Sequence, residues 1–387
     1  MKTKLIFIFI SIFVIFMLND SCEKDNSSSD NSIVNFKDTC LLVKTVTTFY
    51  NNDSDFPPSI NYRIYDENGN NIILVCIVQT TINNISKKEF NSDNLLIKYT
   101  RINIEGEIEY YYTNEYYNNG NVKERNSFYL EGGDKITQAY EYNSNNKLTK
   151  YAVYLDDNLD YYEVYEYDES GNTIKKSEYD ENNTITRYII YEYDEYENNT
   201  ISTTFDSNDS LLSSWEGEYM NNILVESNYY NKEGDNTHGY IYEYDNDGKL
   251  IENQLYFDGE LSKITSNYYS CSNISENSVN ANGDWNTNIF VIGGEQMNFG
   301  EVFSASIDIS QSGSVITANS TTEGGLTGTI NANLTGEFFT FNLIQNQPCV
   351  GTFKGYGVVN STDDEIYGYY TGSDCNGEMI AFLIGNK

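Results

Sequence analysis

The chain has 387 residues, with 58 acidic against 23 basic side chains, a formal net charge of −35 and a pI near 4.1. A field of that sign repels nucleic acid and anionic lipid headgroups, so neither is expected as a partner despite 36 tyrosines. The length predicts two or three domains.

Lys2 and Lys4 precede an apolar run from Leu5 to Leu18. As a helix it would be about 21 Å long, short of the roughly 30 Å hydrocarbon core, so residues 1–21 read as a signal peptide rather than a span. Leu18-Asn19-Asp20-Ser21-Cys22 resembles a lipobox, with Cys22 as the residue acylated after cleavage. Asn19 departs from the usual Leu. Glu23, Lys24 and Asp25 then resemble the surface-export signal of lipoproteins in one group of Gram-negative bacteria, with Asn26 departing at its last acidic place. This implies an outer-membrane, lipid-anchored, cell-surface location, with the membrane contacted through the anchor only. Residues 22–36, rich in Ser and Asn, read as a flexible tether.

From 37 to 277 a short phrase returns: an aromatic residue, an acid or Asn, small polar residues, then Ile or Leu. Its strong copies are Tyr165-Glu166-Tyr167-Asp168, Tyr191-Glu192-Tyr193-Asp194 and Tyr242-Glu243-Tyr244-Asp245, with weaker ones at Tyr129, Tyr142, Tyr154, Phe205, Tyr230 and Phe257. A half-repeat of about 12 or 13 residues fits one strand plus one tight turn. Asp and Asn suit the turns, and Tyr, Ile, Val and Thr suit the strands. No segment has sustained helical spacing. The acids serve turn geometry and solubility on this reading, and no calcium loop is apparent. The tyrosines read chiefly as structural cover for a thin sheet, and secondarily as rings for stacking on sugars.

The phrase Tyr-x-Tyr-Asp-x-x-Gly-Asn-x-Ile at 165–174, with its partners, resembles the tyrosine–aspartate (YD) repeats of the Rhs family, over roughly Asn61 to Tyr269. The resemblance fades toward the N-terminal end. It implies a curved single-layer sheet or spiral of antiparallel hairpins. About a dozen strands are expected, too few for the closed shell of that family's large toxins.

Cys22 aside, Cys349 and Cys375 share the C-terminal module and are the first expected disulfide. Cys40 with Cys76 is the second, and Cys40 with Cys271 is the alternative. No Cys-x-x-Cys occurs and His238 is the sole histidine, so no zinc site or other cofactor is expected.

After about Ser278 the phrase disappears. Eight strand-like segments run at about 284–292, 301–310, 314–321, 325–333, 337–345, 350–359, 365–372 and 377–384, which predicts a small eight-stranded up-and-down β-barrel over 280–387. Gly351, Gly355 and Gly357 share a face with Phe353 and Val359, read as inward, where glycines make room for the close approach of strands or rings. Gly283-Asp284-Trp285 resembles the Gly-x-Trp start of a lipocalin. That family's late Arg is absent, and Lys387 is the basic residue there. The resemblance implies Trp285, Phe339, Phe341 and Phe353 as candidate ligand-contacting residues. A Phe-filled interior is the competing expectation.

One histidine disfavours triad chemistry, and there is no phosphate loop or dinucleotide fingerprint. The expected fold is all-β: repeated hairpins in a curved single-layer sheet or spiral, then the small barrel. The expected function is a non-enzymatic binding or adhesion module for glycan or envelope protein. The alternatives are a glycan-degrading enzyme using paired carboxylates and a small-hydrophobe carrier.

Overall fold

A computed structural model describes residues 40–387 apart from 51–56, 67, 79–80, 131–132, 134, 272–278, 295–300, 348 and 361–363. The signal peptide, Cys22 and the tether lie outside the described residues. The described chain is all-β and forms two closed barrels.

The first contains β1 (Cys40–Phe49), β2 (Ser59–Tyr65), β3 (Asn71–Val78), β4 (Thr81–Phe90), β5 (Leu96–Ile102), β6 (Ile108–Tyr116), β7 (Val122–Tyr129), β8 (Lys135–Tyr142), β9 (Leu148–Leu155), β10 (Asn158–Tyr167), β11 (Thr173–Asp180), β12 (Ile185–Tyr193), β13 (Asn199–Asp206), β14 (Leu211–Met220), β15 (Ile223–Asn231), β16 (Asn236–Tyr244), β17 (Leu250–Phe257) and β18 (Glu260–Cys271). Each strand pairs antiparallel with its chain neighbours. β1 also pairs with β18, from Cys40 opposite Cys271 to Phe49 opposite Lys263. That last ladder corrects the expected open sheet or spiral of about a dozen strands: there are eighteen, and the ring closes. Closure removes both edges, which would otherwise present unpaired backbone groups.

The recurring phrase divides its work between two residues. Its Asp builds the turn. Asp168 N–H donates to Asn172 O, Gly171 N–H returns to Asp168 O, and Asp168 Oδ1 accepts from Gly171 N and Asn172 N. Asp180, Asp194, Asp206 and Asp245 repeat the backbone pair, with Oδ1 accepting from the N–H groups two and four places on, and Asn91, Asn103 and Asn143 do the same with an amide oxygen. The residue three places on takes positive φ, as at Gly171 (93°) and Asn183 (62°), which explains Gly or Asn there. Its Tyr ties one hairpin to the previous one. Tyr167 Oη donates to Leu148 O (2.6 Å), Tyr193 Oη to Thr173 O (2.9 Å), Tyr244 Oη to Leu224 O (2.9 Å) and Tyr269 Oη to Leu250 O (3.0 Å).

The second barrel contains β19 (Gly283–Gly294), β20 (Val302–Ser312), β21 (Val315–Thr322), β22 (Thr327–Thr335), β23 (Phe338–Gln347), β24 (Gly351–Asn360), β25 (Glu365–Asp374) and β26 (Gly377–Asn386), with β19 pairing both β20 and β26. These match the eight expected strands within a few residues. Phe339 faces Gly357 across the ladder and Phe341 faces Gly355. A Cβ on Gly357 would come within 2.3 Å of the Phe339 ring, and one on Gly355 within 2.5 Å of Phe341. The glycines do make room for rings. Cys349 and Cys375 form the expected disulfide (Cα–Cα 5.5 Å). Cys76 is also disulfide-bonded; its partner lies outside the side chains described.

The small barrel packs on the outer face of β1–β4. Ile64, Ile73, Val75, Ile77 and Ile85 meet Phe290, Ile292, Phe338, Val358 and Phe382 in one buried cluster. Tyr62 lies 4.9 Å from Tyr367 ring to ring, and its Oη donates to Glu365 Oε1 (3.0 Å). Lys44 Nζ donates to Glu365 Oε2 (2.9 Å).

Two predictions follow from the repeat. Tyr167→Phe and Tyr193→Phe keep the rings but lose the bonds to rim carbonyls. Each should cost about 0.5–1.5 kcal/mol, read as a lower urea midpoint at constant m; an unchanged midpoint in the double variant would remove the tying role. Asp168, Asp180, Asp194 and Asp206 are held below the usual carboxylate range by hydrogen bonds within their turns, led by Asn172 N, Thr184 N, the Asn198 side chain and Ser210 N respectively. With folded pKa values below unfolded ones, their stabilisation is complete above about pH 3.9 and is lost as pH falls through the folded values. Changing all four to Asn, which sister turns already use, should preserve the fold and shrink the drop in melting temperature between neutral and strongly acidic buffer. A drop as large as wild type would place the acid sensitivity elsewhere.

Candidate functional site

Strand alternation gives the large barrel two chemically distinct faces. Among the described residues the apolar contact of the small barrel is with β1–β4, whereas an enclosed barrel would touch strands all around the ring. The face it covers is therefore the outside, and the opposite face lines the lumen. Barrels of this strand number enclose a lumen rather than a packed core.

The lumen is lined by tyrosines and short polar side chains. Glu163, 9% exposed, accepts from Tyr165 Oη and from Lys176 Nζ (2.9 Å). Arg125 Nε donates to Asn114 Oδ1 (2.9 Å), and its guanidinium lies 4.3 Å from the Tyr112 ring centroid. Tyr99 stacks on Tyr112 at 5.0 Å, and its hydroxyl meets Ser86 Oγ at 2.7 Å. Burial raises the pKa of Tyr140, Tyr151, Tyr165 and Tyr191; at Tyr165 the hydrogen bond to Glu163 adds to it. Glu163, Tyr165, Lys176, Asn114, Arg125, Ser86 and Tyr99 thus find hydrogen-bond partners among themselves. His238, in β16 near the rim, stacks on Tyr229 at 4.2 Å, and burial lowers its pKa.

A paired-carboxylate enzyme needs two acids flanking a cleft, one with a raised pKa. Asp160 is raised, by desolvation first and the Glu181 charge second. It is an exposed residue at the start of β10, next to the turn.

The outer face carries a belt of rings. Phe128, Tyr154, Tyr179, Phe205, Tyr230 and Tyr256 recur about every 25 or 26 residues, each near the end of an odd-numbered strand. Opposite them on the preceding strands stand Tyr111, Thr137, Tyr162, Tyr188, Ser214 and Gly239. Where both positions hold rings, they stack: Tyr111 with Phe128 at 4.9 Å, Tyr162 with Tyr179 at 4.8 Å, and Tyr188 with Phe205 at 5.2 Å. A lysine stands over each stack, Lys98, Lys150 and Lys175 at 5.7, 4.8 and 4.7 Å from the nearer tyrosine.

The four rings expected to touch a ligand in the small barrel are brought together, but as core. Trp285 and Phe353 are each 1% exposed, Phe341 5% and Phe339 7%. They pack with Ile307, Leu334, Tyr370 and Leu383 in one cluster that fills the interior. Trp285 Nε1 donates to Ala281 O (2.8 Å), and Lys387 Nζ lies 5.1 Å from its ring centroid. The basic residue at the chain end thus covers the tryptophan, as an arginine would. A ligand here would have to displace those rings.

The outer belt is what the sequence reading missed. Its signal is present in the weak copies at Tyr154, Phe205 and Tyr230. Placing the neighbouring copies at Tyr129 and Phe257 instead of Phe128 and Tyr256 moves them to the lumen face, because a one-residue slip reverses the side of a strand.

No family model matches the chain, and no curated protein matches it. Solved structures that resemble it include a porin-like protein from Bacteroides uniformis (10% identity over 59% of this chain and 97% of that one, TM-score 0.35). The Photorhabdus luminescens Tc holotoxin pore matches at 12% identity over 87% of this chain and 23% of that one, with a TM-score of 0.21. Transferrin-binding protein B of Haemophilus parasuis matches at 10% identity over 91% and 77%, with a TM-score of 0.22. At these values the likenesses carry neither a family nor an activity to this chain.

Proposed function

We propose that this chain is a non-enzymatic, lipid-anchored protein of the outer-membrane surface, and that its large barrel is a glycan-binding platform of YD-like hairpins. The observation that carries the reading is the outer belt of half-buried rings, repeated from hairpin to hairpin and set among polar side chains. Flat aromatic faces suit the apolar C–H faces of sugar rings, and neighbouring amides and carboxylates suit their hydroxyls. The acidic surface favours neutral over anionic saccharides.

The anchor, rather than the barrel, would hold the protein to the membrane. A lipid-facing barrel presents an outward apolar band. Here the outward positions include Lys150, Lys175, Glu192, Glu226 and Glu252. Such a wall stands in water.

Two measurements test the proposal. On a glycan array, the purified full-length protein should bind a subset of neutral glycans and keep that binding at high salt, since stacking is not screened. A blank array, with an envelope protein retained instead in cross-linking from cells, would replace glycan by protein as the ligand class. Metabolic labelling with a palmitate analogue should mark the wild-type chain and be abolished in Cys22→Ala; label that persists in the variant defeats the anchor.

A further inference from the structure

The six hairpins of the outer belt are not equivalent. Every odd-strand position holds a ring, but the even-strand partner is a ring in only three of the six. Thr137 fills its place by donating to Asn126 Oδ1 (2.8 Å) and is 8% exposed. Ser214 stands opposite Tyr230. At Gly239 there is no side chain at all; the residue is buried under the Asn228 amide, and beyond that amide the surface beside Tyr256 is left without a partner ring.

There the surface forms a half-open depression of about 490 Å³ on β15–β17. Its lining includes Glu226, Asn228, Asn236, Ile241, Tyr256 and Asp258. Tyr256 supplies one wall, with its hydroxyl donated to Gln254 Oε1 (2.6 Å), which fixes the ring by its far end. The floor is a chain of planar polar groups: Asn236 Nδ2 donates to Asn228 Oδ1 (2.8 Å), and Asn228 Nδ2 donates to Glu226 Oε1 (2.8 Å). Asn228 lies directly against Gly239, where an added Cβ would come within 2.5 Å of its Oδ1. Each of these groups keeps spare capacity: the second amide hydrogens of both asparagines, and the second oxygen of Glu226.

We infer that the Gly239 opening is a saccharide subsite, in which one neutral hexopyranose ring takes the place that a tyrosine ring fills in the complete hairpins. One face of the sugar stacks on Tyr256, and its hydroxyls meet Asn228, Asn236, Glu226 and the rim carboxylate Asp258. This rests on the glycan-binding reading above and names where it acts. The chemistry selects the class. The depression has one aromatic wall, at Tyr256. Its polar rim offers acceptors and amide donors at several angles, which suits a polyol better than a hydrocarbon ring. Two carboxylates and the overall charge oppose an anionic sugar.

The test uses the full chain in detergent, with cellohexaose, maltohexaose and mannohexaose as neutral probes and a galacturonic acid hexamer as the anionic one, each titrated calorimetrically. Wild type should bind at least one neutral hexamer and not the acidic one. Gly239→Tyr, which puts a ring beside Tyr256 as Tyr162 stands beside Tyr179, should weaken that binding at least tenfold. Its backbone is not in the left-handed region, but its Cβ must displace the Asn228 amide and crowd Ser227 O at 3.1 Å, so a melting curve checks that the variant is folded. Tyr256→Leu should weaken binding similarly. Tyr196→Leu, at an exposed turn outside the belt, should not. Unchanged affinity in folded Gly239→Tyr and Tyr256→Leu overturns the subsite and leaves the glycan reading standing. Tight binding of the acidic hexamer, or of no hexamer by a protein that is positive on the array, overturns the neutral hexopyranose assignment. A blank array overturns the reading beneath it.

Discussion

The ladder between β1 and β18 is the constraint on which the large barrel depends. A single-layer sheet of hairpins has two free edges, and each is a template for another strand. Joining the first strand to the last satisfies both edges within one chain. The pairing links Cys40–Phe49 with Lys263–Cys271 across more than two hundred residues, and the loop-closure cost of so long a connection rises only slowly with length. Closure also gives the sheet an inside, and so two faces with different work.

The inside shows what replaces a conventional core. A lumen this wide cannot be filled by aliphatic side chains, so apolar burial cannot supply all the order. Tyrosine suits the problem, because its ring covers backbone while its hydroxyl reaches a partner. The Tyr-Asp phrase uses both properties: the ring lies along the lumen, and the hydroxyl caps a carbonyl of the previous hairpin. The aspartate beside it holds the turn. The strong copies are thus mechanical parts, which is why the acidic residues concentrate at the rims. Among the described residues no group of three or more His, Cys, Asp or Glu is placed to hold an ion.

Much of this was legible in the sequence, and the gaps have identifiable causes. Turn chemistry is local, so the hairpins from Asp168 to Asp245 and all eight strands of the small barrel could be placed directly. Ring closure is not local. The repeat faded before β1–β4 because those strands are buried on both sides. Asn71–Val78, Asn-Ile-Ile-Leu-Val-Cys-Ile-Val, carries apolar residues on the outer face for the small barrel and again at Leu74 and Cys76 on the lumen side. A strand covered on both faces loses its alternation, and with it the signature. Trp285, Phe339, Phe341 and Phe353 were correctly brought to one interior, but whether rings line a cavity or fill it depends on their neighbours. Gly355 and Gly357 decide that by letting Phe341 and Phe339 lie flat against the opposite strand.

A repeat makes its own departures informative. Where each position has a structural task, a change that abandons the task has no local reason to exist. Most departures here are repaired on the spot: Asn replaces Asp with the same hydrogen bonds, and Thr137 replaces a ring but bonds to Asn126. Gly239 is different. It forfeits side-chain packing in the middle of a strand, where glycine is unfavourable; Asn228 from the neighbouring strand covers its backbone but supplies no ring to Tyr256. Tyr256 remains in place, held by Gln254, facing an opening floored by amides. A position that gives up a contact and keeps the partner poised is explained more simply by a ligand that completes the pair than by packing within the chain.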